Sequence, residues 1–112
     1  MLRVASIVED LLACKWSTAL LSLLADGEKR PSQLLRCCPG LSPKVMNERL
    51  KKMVGFRLVN RFVYGEKPPI RVVYKLTPLG MRLAAIVREI EQLQSELDRG
   101  LFKPEGESAD IS

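Results

Sequence analysis

The sequence predicts a mainly α-helical domain that carries one small β-hairpin. Apolar residues recur at helical spacing over most of the 112 residues, whereas β-branched and aromatic residues concentrate in two short stretches between residues 58 and 76. Proline, glycine and serine separate these segments. A chain of this length is expected to form one domain, placed here at residues 1–100, and a flexible polar tail follows at residues 101–112.

Three helices are predicted in the first third of the chain. Apolar residues at helical spacing indicate one helix over residues 4–13 and a second over residues 16–25, which ends at Asp26-Gly27. A third helix of about two turns covers residues 32–38 and is terminated by Pro39-Gly40.

The fourth helix, about residues 42–54, completes a helix-turn-helix pattern. It begins with Ser42-Pro43, a hydroxyl that can cap free amides and a proline that suits the first helical position. Met46, Leu50 and Met53 form its inward stripe, and the opposite side is basic. A helix-turn-helix typically consists of two helices joined by a tight turn, in which the second helix has one apolar side and one basic side.

A hairpin and a long helix follow. Residues 58–64 and 70–76 predict two strands, and the loop at about 64–70 forms a wing stiffened by proline. Thr77-Pro78 repeats the pattern of a helix start, and the last helix extends to about Arg99. This order of elements predicts a winged helix-turn-helix.

The last helix carries an apolar seam that is longer than a small domain needs for its own core. Its apolar residues, from Leu79 to Leu97, recur at alternating steps of four and three. Packing on the first helix of the same chain accounts for part of this seam, and a partner helix for the rest. We therefore expect a homodimer formed by the first and last helices. The predicted interface comprises Val4, Ile7, Leu11, Leu83, Ile86, Ile90, Leu93 and Leu97.

Positive charge is concentrated in the middle of the chain. Residues 28–75 contain 12 lysines and arginines and three acidic residues, a net charge of +9, whereas the whole chain carries +5. The segments on both sides are therefore close to neutral or slightly acidic. A localised basic surface is the electrostatic footprint of a protein that binds a polyanion, and the fold makes double-stranded DNA the expected partner.

The outward side of the fourth helix carries the residues that we expect in the major groove. Asn47 can pair with adenine, and Lys44 can reach guanine or phosphate. Glu48 either accepts from a cytosine amine or stabilises the helix by pairing with Lys51. Basic residues of the wing and at the start of the third helix are expected to bind phosphates. The predicted DNA contacts are Arg30, Gln33, Ser42, Pro43, Lys44, Asn47, Glu48, Lys51, Lys52, Arg61, Lys67 and Arg71.

The sequence lacks the parts that other function classes need. It has no histidine, no glycine loop for phosphates and no paired carboxylates in an apolar setting, so we expect neither an enzyme nor a cofactor. Three cysteines without histidine argue against a zinc site and a disulfide framework. No apolar run is long enough to span a membrane, and charges interrupt the first 25 residues, so we expect a cytoplasmic protein.

Two alternatives remain open. The domain could serve as a winged-helix module for protein interaction, which salt-dependent DNA binding would exclude. Cys37 and Cys38 could instead form a thiol sensor, because the neighbouring Arg36 favours a thiolate, although cysteine is also a common buried residue.

Several short motifs in a fixed order resemble those of the HxlR-type winged helix-turn-helix regulators of bacteria and archaea. The matching stretches are Lys15-Trp16, residues 30–35, residues 39–44, residues 47–50, Pro68-Pro69, residues 71–74 and residues 76–80. The resemblance implies a dimeric transcription factor that binds a pseudo-palindromic operator, and it identifies no effector.

This chain departs from the family pattern at three places. The family usually has a cysteine followed by proline about a dozen residues before Lys15-Trp16, which serves redox sensing where that occurs, whereas this chain has Leu2 and Arg3 in that region. Pro31 replaces an aromatic residue, so the strand before the third helix is expected to be short. A glycine is usual near Arg57, whereas this chain has Gly55, which affects the exit from the fourth helix.

Overall fold

The structure, a computed structural model, describes residues 1–104 and shows the predicted order of elements in that part of the chain. Element boundaries differ from the predicted ones by at most one residue. The elements are α1 (Val4–Leu12), α2 (Lys15–Ala25), α3 (Pro31–Cys37), α4 (Pro43–Gly55), β1 (Val59–Tyr64), β2 (Arg71–Leu76) and α5 (Pro78–Asp98). The prediction of a mainly α domain with one β-hairpin is confirmed.

The two longer helices α4 and α5 begin with a capping hydroxyl followed by proline. Ser42 Oγ accepts a hydrogen bond from the Val45 amide at 3.1 Å, and Thr77 Oγ1 accepts one from the Gly80 amide at 3.0 Å. In each case a free amide of the first turn gains a partner, and the proline behind the cap has no N–H to satisfy. The two helix starts predicted from sequence are therefore confirmed.

The chain leaves α4 through a residue in the left-handed region. Arg57 has a φ of +63°, whereas Gly55 lies inside the helix at an ordinary negative φ. The left-handed conformation brings Cβ too close to the following carbonyl oxygen, and only glycine adopts it without cost. The position where the sequence lacks the expected glycine is thus the position whose backbone conformation favours glycine.

The two strands pair in antiparallel register from Val59 opposite Leu76 to Tyr64 opposite Arg71. On the outer edge of β2, Lys29 and Tyr74 exchange two backbone hydrogen bonds of 3.0 and 2.8 Å. This isolated bridge is all that precedes α3 at this edge, which agrees with the short strand expected from the proline at position 31.

The junction between the hairpin and α5 is closely packed. The Thr77 hydroxyl donates to the Arg57 carbonyl at 2.7 Å, and the Thr77 amide donates to the Leu58 carbonyl at 2.9 Å. A Cβ added at Gly80 would overlap that Leu58 carbonyl oxygen. Only glycine therefore allows the first turn of α5 to approach the start of the hairpin this closely.

The core collects the apolar faces of all five helices and the inner face of the hairpin. It also takes up three residues that the sequence assigned to a dimer interface. Ile7, Leu11 and Leu83 are at most 3% exposed within the protomer, so the prediction is corrected for them. The periodicity correctly identified the apolar face of each helix. Within the protomer, α2 and its neighbours cover the part of that face that contains these three residues.

Residues 101–104 follow α5 without regular secondary structure and are exposed. The remainder of the predicted tail, residues 105–112, lies outside the described residues. No helix within residues 1–104 combines the length and the apolar character that a membrane crossing requires.

Replacing Arg57 by glycine is expected to stabilise the domain. The change removes the steric cost of the left-handed conformation, and the net gain in the free energy of unfolding is expected to be about 0.5–1 kcal/mol after the greater flexibility of the unfolded chain is subtracted. Urea unfolding followed by circular dichroism measures it. Arg57→Ala is the matched control, because it removes the same charge but keeps Cβ. Equal stabilisation by both variants would contradict the explanation.

Candidate nucleic-acid interface

Helix α4 presents a polar side to solvent and an apolar side to the core. Its inward residues Met46, Leu50 and Met53 are at most 2% exposed. The outward side carries one amide, one carboxylate and two ammonium groups, all exposed as predicted. These are Asn47, Glu48, Lys44 and Lys51.

The turn that orients α4 is held by a buried leucine and a glycine. Leu41 lies in the core, and its amide donates to the Cys38 carbonyl at 3.0 Å. Gly40 adopts a φ of +93°, and a Cβ added there would meet the ring of Trp16 at 3.8 Å. The Pro39-Gly40 break predicted from sequence therefore forms a fixed turn, which determines the direction in which α4 leaves the core.

Glu48 forms no ion pair within residues 1–104, although Lys44 and Lys51 lie on the same side of α4. Of the two interpretations left open by the sequence, the structure does not show pairing with Lys51. The carboxylate is exposed and available to a ligand.

A cleft separates α4 from the hairpin. It measures about 400 Å³ and lies against the basic side of the helix. Its lining residues are Asn47, Lys51, Val54, Arg61 and Tyr74. The predicted helix contacts Asn47 and Lys51 and the predicted wing contact Arg61 therefore meet at one site. Val54 and Tyr74 were not predicted to have a functional role, because their place in the cleft depends on how the hairpin packs against α4.

A second basic cleft lies on the other side of β2, at the start of α3. Arg30 and Arg71, two of the residues predicted to contact phosphates, both line it, and its volume is about 420 Å³. Gln33 lies next to them, and its Oε1 accepts from the Arg30 amide at 2.8 Å. That bond occupies the oxygen of Gln33 and leaves its NH₂ group to donate.

The side chain of Lys52 points away from the predicted DNA-contacting side of α4. Its Nζ lies 2.7 Å from Oδ1 of Asp10, so the side chain extends towards α1. Lys52 therefore already has an acidic partner within the protomer, and its contact with DNA stays a prediction. The helical wheel had placed it at the edge of the basic face, and the wheel does not show the neighbouring helix.

The wing carries charge and exposed aromatic surface together. Lys67 lies in its loop and is exposed. Phe62 and Tyr64 stack on one face of β1 with ring centroids 6.4 Å apart, and both are exposed. Tyr64 is 53% exposed, whereas Tyr74 on the neighbouring strand is only 7% exposed.

The three cysteines differ in environment. Burial raises the pKa of the Cys38 thiol, and the neighbouring Cys37 raises it further, so the thiolate that Arg36 was expected to favour does not form readily at this position. Cys37 itself is exposed. At Cys14, burial acts to raise the pKa, but hydrogen bonds from the α2 start and the charge of Arg49 outweigh it, and the pKa is lowered.

Comparison with known proteins places this arrangement in a family. The sequence profile of the HxlR-like helix-turn-helix matches residues 11–99. The chain belongs to the HxlR-like helix-turn-helix family. An HTH-type transcriptional regulator of Synechocystis is 39% identical over 89 residues, which cover 80% of this chain and 65% of the relative. The HTH-type transcriptional regulator YodB of Bacillus subtilis is 35% identical over 82 residues, covering 73% and 72%. The chain thus matches less than two thirds of the first of these HxlR-like relatives.

Solved structures share the HxlR-like fold. A putative transcriptional regulator of Salmonella typhimurium superposes with a TM-score of 0.73 at 28% identity, covering 88% of both chains. The redox regulator HypR in its reduced form gives a TM-score of 0.74 at 28% identity, covering 86% of this chain and 95% of HypR. The winged helix-turn-helix fold predicted from the sequence is confirmed, and the family consists of transcriptional regulators, which are not enzymes.

Thiol alkylation at graded pH is expected to separate the cysteines of this HxlR-like domain. Cys38 should react with N-ethylmaleimide only after unfolding, because it is 4% exposed and burial raises its pKa. Cys14 should keep reacting at lower pH than it does in the urea-unfolded chain, because its lowered pKa preserves the reactive thiolate. Peptide mass spectrometry measures each site. Rapid labelling of Cys38 in the folded protein would contradict this assignment.

Proposed function

We propose that this chain is a sequence-specific regulator that binds double-stranded DNA as a homodimer. The observation that carries the proposal is the outward side of α4, where Lys44, Asn47 and Lys51 are exposed and form no ion pair within the described residues. A helix with this side fits the major groove of B-DNA, and membership of the HxlR-like family supports this use of it.

Residues 42–54 act as the recognition helix. Asn47 reads adenine through its amide, and Lys44 and Lys51 contact guanine or phosphate. Glu48 accepts from a cytosine amine, a role that its lack of an ion pair among the described residues supports. Ser42 and Pro43 lie at the helix start, where the backbone amides face a phosphate.

The wing, residues 64–70, holds the DNA backbone or enters the minor groove. Lys67 lies in this loop, and Arg61 and Arg71 lie on the strands on either side of it. Arg30 and the free NH₂ of Gln33 add phosphate contacts beside α3. These contacts set the orientation of the domain and contribute little to sequence preference.

The second half of α5 supports the homodimer. Ile86, Ile90, Leu93 and Leu97 lie on one side of the helix and are 36–55% exposed, and Val4 of α1 is 58% exposed. Apolar surface of this extent is favourable when it is covered by a second copy. The dimer would place two recognition helices about 34 Å apart, the spacing of half-sites one helical turn apart on a pseudo-palindromic operator.

Binding to a duplex selected from a random library is the test. Asn47→Ala should lose discrimination at one base pair by about 1–3 kcal/mol, because its bidentate contact is removed. Lys44→Ala should weaken binding to all duplexes similarly and reduce the slope of log K against log salt by about one per chain. Fluorescence anisotropy between low and moderate salt measures both.

Arg99→Ala serves as the matched control, since it removes one positive charge at the end of α5. It should leave affinity and salt dependence close to those of the parent. If the parent binds no duplex at low salt, the proposal is wrong and the winged-helix module for protein interaction takes its place.

A charge placed in the exposed seam is expected to separate the protomers. Leu93→Glu should yield a species of 12.6 kDa in sedimentation equilibrium, whereas the parent should show twice that mass. Ser95→Glu is the control, because Ser95 lies on the opposite side of α5 and should leave the dimer intact. A parent that sediments as a monomer would contradict the interface.

A further inference from the structure

We propose that the cleft between α4 and the hairpin binds a small aromatic carboxylate, and that this ligand competes with DNA. The competition rests on the function proposed above, since the cleft shares Asn47 and Lys51 with the DNA-contacting side of α4. The binding site itself rests on the cleft alone.

The charge of the cleft selects an anion. Lys51 enters from α4 and Arg61 from β1, and neither has an acidic partner within residues 1–104. An ammonium and a guanidinium that flank one space attract a carboxylate, and hydrogen bonds between charged groups are stronger than those between neutral groups. The amide of Asn47 provides a further donor.

The remaining walls select a flat apolar body. Val54 contributes an aliphatic wall and Tyr74 an aromatic one. The volume of about 400 Å³ lies within the range of about 300–1,000 Å³ that small-molecule sites occupy. A carboxylate attached to one or two aromatic rings matches both the charge and the walls.

Tyr74 provides an independent observation. The residue is 7% exposed as a whole, and none of the side-chain hydrogen bonds within residues 1–104 involves its hydroxyl. Both backbone hydrogen bonds to Lys29 hold the residue in place, so its backbone is not free to move towards another partner. A buried polar group without a partner is uncommon in proteins, and a ligand oxygen in the cleft would satisfy this one.

The basic cleft beside α3 does not combine these features. Its volume is similar, at about 420 Å³, and Arg30 and Arg71 line it. None of its lining residues is buried, and so it offers no orphaned polar group to a ligand. Its exposed guanidinium groups suit the phosphates of a DNA backbone.

Calorimetric titration of the DNA-free protein with 2-naphthoate tests the site. We expect one site per chain, and the uncharged analogue 2-naphthamide should bind about tenfold more weakly, because it lacks the charge that Lys51 and Arg61 recognise. Arg61→Gln and Tyr74→Phe should each weaken naphthoate binding about fivefold or more.

Lys75→Gln is the matched control for Arg61→Gln. Lys75 belongs to the same hairpin, but it lies in the position next to Tyr74 and therefore on the other face of the sheet. It should bind naphthoate within about twofold of the parent, as expected for a residue that makes no contact. If both substitutions weakened naphthoate binding equally, the cause would be the change in net charge, and the proposed binding site would be wrong.

The stability of Tyr74→Phe distinguishes a ligand contact from a structural one. A hydroxyl without a protein partner contributes nothing to folding, so the variant should unfold at the same or a higher temperature than the parent. A lower unfolding temperature would reveal a structural partner for the hydroxyl and would count against the proposal.

Competition with a bound duplex completes the test. Naphthoate should displace the selected duplex from the parent and should do so less effectively from Tyr74→Phe. If the duplex binds and naphthoate does not, the present inference fails while the DNA-binding function stands. If naphthoate binds and no duplex does, the site is supported and the DNA-binding function fails.

Discussion

The side chain and amide of Thr77 connect the parts of the fold on which the candidate interface depends. The hydroxyl donates to the carbonyl of Arg57 and accepts from the amide of Gly80, while the Thr77 amide donates to the carbonyl of Leu58. One residue therefore joins the exit of α4, the start of β1 and the first turn of α5. Because Gly80 has no side chain, α5 comes close enough to make these bonds. The junction thus connects α4 directly to the hairpin, the two elements that line the cleft.

A single ion pair links the helix proposed to read DNA to the helix at the proposed dimer interface. Lys52 Nζ of α4 and Asp10 Oδ1 of α1 are 2.7 Å apart; the aspartate side chain is partly shielded from water and the lysine side chain is exposed. A pair of this kind contributes little to stability when exposed, but it fixes the direction of a long side chain. The ion pair gives the two helices a shared contact. A shift of α1 on pairing with a second copy would therefore displace Lys52 in the C-terminal half of α4.

Local features of the sequence were sufficient to predict the elements and the polar side of α4. Helical spacing, Ser42-Pro43 and Thr77-Pro78 act within a few residues, and the geometry of a helix determines which side chains share a side. Tertiary contacts were not predictable in this way. Ile7 resembled an interface residue because periodicity identifies an apolar face without showing what covers it, and Cys38 resembled a reactive thiol because sequence proximity to a cation says nothing of burial.

The same physical property accounts for both proposed uses of the cleft. Lys51 and Arg61 stand on different elements with no acidic side chain paired to either within the described residues, so an anion in the cleft is attracted by both. A phosphate of DNA and a carboxylate in the cleft both provide that anion, and both carry negative charge. Two such groups in one cleft would repel each other, and each would lose part of its attraction to the shared cations. Exclusion between them therefore follows from electrostatics, without any movement of the hairpin.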